Sequence, residues 1–202
     1  MSRLRNACDS EGTRIYLPRL RFRASGRMEP VGRMSDRKKS PIRPSRLTDA
    51  ASIAKIQIDA WRQAYADIIS KEFLSQMDYD EKTRRWERNL SGNQASTIVY
   101  DGEESILGWA SYGESRDQDF QGTEIWAIYV TPQAWGQGIG RRLVDFIHSE
   151  PATATSSIVW VLKENKNARR FYNSLGFIPD GKEKLIEIGG DSLPEVRYQR
   201  SC

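Results

Sequence analysis

Residues 130–143 read VTPQAWGQGIGRRL, and three of them are glycines spaced two apart. The apolar run EIWAIYV at 124–130 predicts a buried strand before these glycines, and apolar spacings of three and four predict a helix after them. Glycine has no Cβ, so such a loop exposes backbone N–H groups at a helix start, where geometry and dipole favour anions. We therefore predict a pyrophosphate site in this loop.

Two common nucleotide-binding motifs do not fit the same residues. A P-loop needs Gly-Lys-Ser/Thr, which does not follow here, and the dinucleotide fingerprint needs a glycine where Arg141 stands. Sites for ATP and for NAD are therefore disfavoured.

The segments around the loop predict an α/β domain with a mixed sheet. The helix after the glycines leads into a predicted strand at 157–162, and a strand–helix–strand order implies a parallel crossover. The other predicted elements are a short strand from Ile42, a helix over 49–68, a helix from Asp78 to Gly92, a hairpin around Asp101-Gly102, a helix over 168–175 and two late strands around a Gly-Gly turn.

Composition limits the class of protein. The chain has 202 residues, of which 38% are hydrophobic and 10% aromatic, enough to form a core without disulfides or metal. No run of about 18 apolar residues occurs, so no membrane span is expected.

The charge is unevenly distributed along the chain. Residues 1–40 hold 11 Lys and Arg against 4 Asp and Glu, which leaves 20 Lys and Arg against 23 Asp and Glu in residues 41–202. A folded domain with a net charge of −3 is not expected to bind nucleic acid.

Residues 1–40 are rich in Arg, Ser and Gly without apolar periodicity, and we predict a disordered basic tail. The alternatives are an arm for anionic partners, an organelle transit peptide, and a true start at Met28 or Met34. The predicted domain covers 41–202.

The two cysteines, Cys8 and Cys202, lie at opposite ends of the chain. Neither a disulfide framework nor a thiolate metal site is therefore predicted, and a cytoplasmic location fits best.

Two stretches together resemble the GCN5-related N-acetyltransferase (GNAT) family. WGQGIG at 135–140 is similar to the family's Arg/Gln-x-x-Gly-x-Gly/Ala loop, with Trp135 in the Arg/Gln position. VWVLKENKNARRFYNSLGF at 159–177 is similar to the family's later strand, Asn-containing loop and Phe-Tyr helix. The resemblance covers roughly 42–200. It implies a mostly antiparallel mixed sheet flanked by helices, with a central parallel crossover, and acetyl-CoA as co-substrate. No metal is predicted, because no His, Asp or Glu cluster in the sequence has metal-ligand spacing.

The same resemblance implies which residues bind the co-substrate. Ile128 and Val130 would offer main-chain groups to the pantetheine arm, and the Val130 amide would polarise the thioester carbonyl. Asn165 would bond the pantetheine amides, while Asn167 is an alternative cap for the following helix. Residues 136–141 would bind the pyrophosphate. The full predicted set is Ile128, Val130, Trp135, Gly136, Gln137, Gly138, Gly140, Arg141, Asn165 and Phe171.

Two residues are predicted to move protons. Tyr172 matches the family tyrosine that protonates the leaving thiolate, and its alternative role is core packing. An amine acceptor is mostly protonated at pH 7, so it needs a proton acceptor. Strand alternation places Glu124 on the face of Ile128 and Val130 and makes it the candidate; the alternative is a strand-end carboxylate paired with Lys or Arg.

The predicted reaction is direct transfer of an acetyl group to a primary amine, because no cysteine lies in the core to form an acyl-enzyme. The second hypothesis is a non-catalytic acyl-CoA sensor or scaffold. The acceptor is undetermined: small amines, amino acids, aminated drugs and peptide N-termini all remain open, as does a homodimer. Trp61, Tyr65 and Phe73 either line an amine pocket or belong to the core.

Overall fold

The computed structural model describes residues 41–92, 95–150 and 156–201, which contain one seven-stranded mixed sheet with helices on both faces. The strands are β1 Ile42–Pro44, β2 Ser96–Asp101, β3 Ile106–Glu114, β4 Thr123–Val130, β5 Ser157–Leu162, β6 Ile178–Ile188 and β7 Asp191–Arg200. The helices are α1 Ala50–Ala64, α2 Lys71–Gln76, α3 Tyr79–Ser91, α4 Ile139–Ser149 and α5 Lys166–Ser174. The predicted basic tail lies outside the described residues.

The strand order is β1-β2-β3-β4-β5-β7-β6, and every neighbouring pair is antiparallel except β4 with β5. This confirms the predicted mixed sheet with one parallel crossover, which α4 provides. Because β7 pairs between β5 and β6, the last strand of the chain lies inside the sheet, and β6 is the edge strand.

Local signals account for most helix boundaries. The side chain of Asp78 accepts a hydrogen bond from the Glu81 amide, which caps α3 as predicted, and that helix ends at Gly92. The helix predicted over 49–68 ends earlier, at Ala64, and continues as turns. The short helix α2 was not predicted from the sequence.

Each face of the sheet carries its own core. One face packs against α4 and α5 through a cluster that includes Ile125, Leu143 and Phe177, and the other packs against α1 and α3 around Trp109. A third cluster joins the α2 region to β6 and β7 around Leu74. Strands β2, β3 and β4 lie between the two large clusters and contribute side chains to both.

The pairing of β4 is interrupted twice, and both interruptions lie at Trp126. On one side Ser111 of β3 pairs with Ala127 while Tyr112 pairs with Ile125, so Trp126 is an extra residue, a β-bulge. On the other side the parallel pairing with β5 ends at Ile125. A bulge bends a strand and increases its twist, and β4 and β5 separate from this point onward.

No helix in the described part of the chain is both long enough and apolar enough to cross a membrane.

Candidate active site

A cavity of about 1250 Å³ occupies the gap where β4 and β5 have separated. Its walls include residues 126–130 of β4, residues 159–162 of β5, the glycine loop and the start of α5. Side chains from α1, the α2 region, α3 and β6 close it on the other side. The cavity therefore passes through the sheet from the glycine loop to the α1 side.

The glycine loop has the backbone that the sequence analysis predicted. Gly136 and Gly138 have φ values of 78° and 77°, a left-handed conformation that favours glycine, and Gly138 is the N-cap of α4. An added Cβ at either position would meet nothing within 4 Å, so this side of the loop is open. The first N–H groups of a helix have no acceptor within it, so the α4 terminus offers free donors here. An anionic group fits this loop.

Gly140 is required for a different reason. A Cβ there would lie 3.1 Å from two ring atoms of Phe171, so the absent side chain lets α4 pack closely on α5. Phe171 lines the cavity and forms an edge contact with the Tyr172 ring at 5.1 Å between centroids. Gly140 therefore leaves room for the Phe171 ring beside the cavity.

The main chain of β4 faces the gap at the two predicted residues. Thr131 donates its amide to Leu107 of β3 at 2.8 Å. Backbone groups of successive strand residues point alternately to the two neighbouring strands, so those of Val130 point away from β3, toward the gap. The same alternation applies to Ile128. The Val130 carbonyl accepts the Trp135 indole N–H at 2.7 Å, which fixes Trp135, 42% exposed, over the strand end.

Two predicted loop residues bond to protein groups. Arg141 donates from Nη2 to the Ser174 carbonyl at 3.0 Å, so its guanidinium lies at the end of α5 and lines the cavity. Gln137 donates from Nε2 to the Gln133 carbonyl at 3.3 Å and does not line the cavity. Any contact of Gln137 with a ligand would therefore come from its main chain.

Asn165 lines the cavity and caps α5. Its side-chain oxygen accepts from the Ala168 amide at 3.0 Å, so the alternative in which Asn167 is the cap is wrong. The cap uses the oxygen of the carboxamide, and the Asn165 side chain also lowers the pKa of the Tyr65 phenol, against the larger, opposite effect of burial. Asn167 is exposed and accepts a hydrogen bond from Arg170 instead.

Three tyrosines from different elements line the cavity: Tyr65 after α1, Tyr129 on β4 and Tyr172 on α5. Burial raises the pKa of all three phenols above the ordinary value, so each stays protonated at neutral pH. The Trp61 indole donates to the Tyr129 hydroxyl at 2.8 Å. Sequence reasoning predicted Tyr172 as a proton donor but did not include Tyr129, which also lines the cavity.

The structure places Glu124 outside the cavity. Ile125 and Ile128 are three residues apart yet pack in one cluster, because the bulge at Trp126 breaks the alternation. Glu124, adjacent to Ile125, therefore lies on the opposite face from the one that alternation predicted. It is 1% exposed, and Arg116 donates to both of its oxygens. This is the contact that the ion-pair alternative describes.

A carboxylate that the sequence analysis did not single out does line the cavity. Glu195 of β7 lies opposite Leu162 of β5, and burial raises the pKa of its carboxyl group. Within residues 41–92, 95–150 and 156–201, no three His, Cys, Asp or Glu side chains are grouped so that they could hold a metal ion.

Comparison with known proteins agrees with this architecture. The model of the acetyltransferase (GNAT) family matches residues 56–177. The uncharacterized N-acetyltransferase YuaI of Bacillus subtilis (strain 168) is 32% identical over 162 residues, covering 77% of this chain and 89% of YuaI. The L-amino acid N-acyltransferase MnaT of Escherichia coli (strain K12) is 28% identical over 141 residues, covering 68% of this chain and 78% of MnaT.

A solved structure has the same fold. The structure of yncA from Salmonella typhimurium, determined with its cofactor acetyl-CoA, superposes with a TM-score of 0.57 at 22% identity, covering 79% of this chain and 92% of that one. The family model and the two relatives place this protein among the acetyl-CoA-dependent acyltransferases. The chain belongs to the GNAT acetyltransferase family.

Proposed function

We propose that this protein transfers the acetyl group of acetyl-CoA directly to the nitrogen of a primary amine within the cavity between β4 and β5. The observation that supports this most directly is the continuity of one cavity from the open glycine loop, past the exposed main chain of β4, to the aromatic wall of α1. One end suits a phosphorylated carrier and the other a separate acceptor, which supports a reaction in which both substrates are bound together.

The carrier supplies an activated thioester, and the chain supplies groups to hold and polarise it. N–H groups of residues 136–141 would bind the pyrophosphate, with Arg141 as a nearby cation. Main-chain groups of Ile128 and Val130 would pair with the pantetheine arm, and the Val130 amide would donate to the thioester oxygen. Asn165 and Phe171 would line the arm, and Trp135 would cover it.

Tyr172 is the proposed donor to the leaving sulfur. Its phenol lines the cavity and is protonated at neutral pH, because the ordinary phenol pKa is about 10 and burial raises the pKa of Tyr172 further. A thiol has an ordinary pKa of about 8.5, so a thiolate already leaves fairly well near neutral pH and the donor adds a moderate factor.

The acceptor end favours an amine with an apolar arm. Trp61, Phe73 and Met77 line it from one side, and Trp126 and Trp160 line it from the sheet. MnaT is named an L-amino acid N-acyltransferase. We propose that the acceptor is a small amine or amino acid whose substituent is aromatic or otherwise apolar.

A panel of amines tests this function. Release of CoA thiol is measured with L-phenylalanine, L-methionine, phenethylamine, putrescine and a short peptide with a free N-terminus, and binding of acetyl-CoA is measured by calorimetry. We expect binding without any amine, and turnover that is fastest with the apolar amines. Binding without turnover for every amine would support the sensor hypothesis instead. No binding would reject both.

A further inference from the structure

The Glu195 side chain contributes to the walls of two cavities. It lines the large cavity described above and also a second one of about 480 Å³, whose wall includes Arg116, Glu124 and Trp160. Its side chain is 14% exposed. A carboxylate in this position faces the acceptor end of the large cavity while most of its surface is removed from water.

The Glu195 carboxylate is held loosely, unlike that of Glu124. Its ion-pair partner is Lys184 of the neighbouring strand, whose Nζ lies 3.7 Å from Oε2, longer than a hydrogen bond. That ammonium group is also 4.0 Å from the centre of the Trp160 ring. The oxygens of Glu195 therefore keep the capacity to accept hydrogen bonds from a substrate, whereas Arg116 occupies both oxygens of Glu124.

The groups around Glu195 have mixed charges. Lys184 on β6 and Arg116 before β4 favour its ionised form, and Glu124 on β4 opposes it. Tyr65, after α1, lies across the cavity within electrostatic range of Glu195. Burial has the largest effect and raises the pKa of the Glu195 carboxyl group. A carboxylate with a raised pKa binds a cation readily and takes a proton more easily than an ordinary one.

We propose that Glu195 receives the ammonium group of the acceptor and accepts its proton before acetyl transfer. This inference rests on the proposed function. The ammonium gives one proton to Glu195, and the nitrogen lone pair then forms the C–N bond as the C–S bond breaks. The leaving sulfur takes a proton from the Tyr172 hydroxyl. The second nitrogen proton is lost as the amide forms, and it replaces the proton that Tyr172 gave up. Glu195 finally releases its proton to solvent, so the products are an acetamide, a thiol and one proton.

The test compares three single substitutions: Glu195→Gln, Glu124→Gln, and Glu183→Gln as a control at an exposed carboxylate on β6. The pH profile of kcat/KM is measured with the amine of the panel that wild type uses best. We expect Glu195→Gln to lower kcat/KM about 100-fold and to remove the acidic limb of the profile. Glu124→Gln and Glu183→Gln should keep that limb. An acidic limb that survives in Glu195→Gln would overturn the proposal, and its loss in Glu124→Gln alone would assign the proton to Glu124.

Hydroxylamine provides a second arm because it is largely unprotonated at neutral pH and needs no proton acceptor. Glu195→Gln should acetylate hydroxylamine at close to the wild-type rate, and an equal defect with both acceptors would contradict proton transfer to Glu195. Calorimetry with acetyl-CoA separates this inference from the proposed function. If wild type fails to bind acetyl-CoA or to use any amine, the proposed function fails; if it does both and Glu195→Gln behaves as wild type, only this inference fails.

Discussion

Arg116 donates hydrogen bonds to the Glu124 carboxylate from both its side chain and its main chain. Its Nε donates to Oε2 at 3.2 Å, its Nη2 donates to Oε1, and its own main-chain amide donates to Oε2 at 2.9 Å. A buried carboxylate is costly unless it is fully hydrogen-bonded, and this arrangement satisfies it. The pair also ties the loop before β4 to the edge of the bulge, next to the cavity.

Arg116→Ala is expected to lower the free energy of unfolding by about 2–3 kcal/mol, because it leaves the buried Glu124 carboxylate with only the main-chain donor. Urea denaturation measures this. Lys163→Ala is the matched control, since it removes an ion pair with Glu183 in which both side chains are exposed. The control should change stability by less than about 1 kcal/mol. Equal effects of the two substitutions would mean that Glu124 does not depend on Arg116.

Glu195→Gln is expected to make the protein more stable at neutral pH. The pKa of Glu195 is raised in the folded state, so the folded protein holds this proton at pH values where the unfolded chain, with an ordinary Glu pKa of about 4.3, has lost it. Wild-type stability therefore falls as pH rises between the two pKa values. The glutamine variant lacks this loss, so its advantage should be present at pH 8 and vanish at pH 4. A variant less stable than wild type at pH 8 would show that the Glu195 charge stabilises the fold.

Gly138→Ala is expected to weaken acetyl-CoA binding at least tenfold. The substitution forces a residue with a side chain into a φ of 77° and places a methyl group on the open side of the loop. Gly181→Ala is the control, because its φ is 86° and its Cβ also meets nothing within 4 Å, yet it lies in β6 away from the loop. Both variants should lose about 1–2 kcal/mol of stability. Only Gly138→Ala should lose affinity in calorimetry; equal affinity in both would argue against the loop as the binding site.

Tyr172→Phe is expected to lower kcat about 100-fold while the melting temperature stays close to that of wild type. The ring contacts with Phe171 and Phe177, at 5.1 and 5.5 Å between centroids, do not involve the hydroxyl. Tyr112→Phe is the control, since Tyr112 belongs to the same core cluster but does not line the cavity. Steady-state kinetics with the best amine decides the point: if both variants turn over like wild type, Tyr172 has a packing role only.

The sequence signals that predicted the fold correctly were local ones. The Asp78–Glu81 spacing predicted the start of α3, and Gly189-Gly190 predicted the turn between β6 and β7, because each depends on a few neighbouring residues. The glycine loop could be predicted for the same reason. The left-handed φ values of Gly136 and Gly138 match a backbone that only glycine adopts easily.

The parts of the site that sequence reasoning missed depend on pairing between distant strands. The sequence EIWAIYV does not reveal that Trp126 is an extra residue in the strand. Because β4 is apolar on both faces, it has no alternation of polar and apolar residues that a bulge would interrupt. Glu195 belongs to EVRYQR, an ordinary alternating strand, and reaches the cavity only because β7 inserts between β5 and β6. Neither fact could be obtained without the strand order.

The bulge at Trp126 also affects how acceptor preference can change. Paired parts of β4 and β5 lie before it, and nearly all of the cavity wall lies after it or on other elements. Mutations that resize the mouth, in α1, the α2 region or the β6–β7 hairpin, therefore leave the hydrogen-bonded half of the central strands untouched. Substitutions there can change which acceptor is bound with little loss of fold stability, which offers a physical route to diversification within one fold.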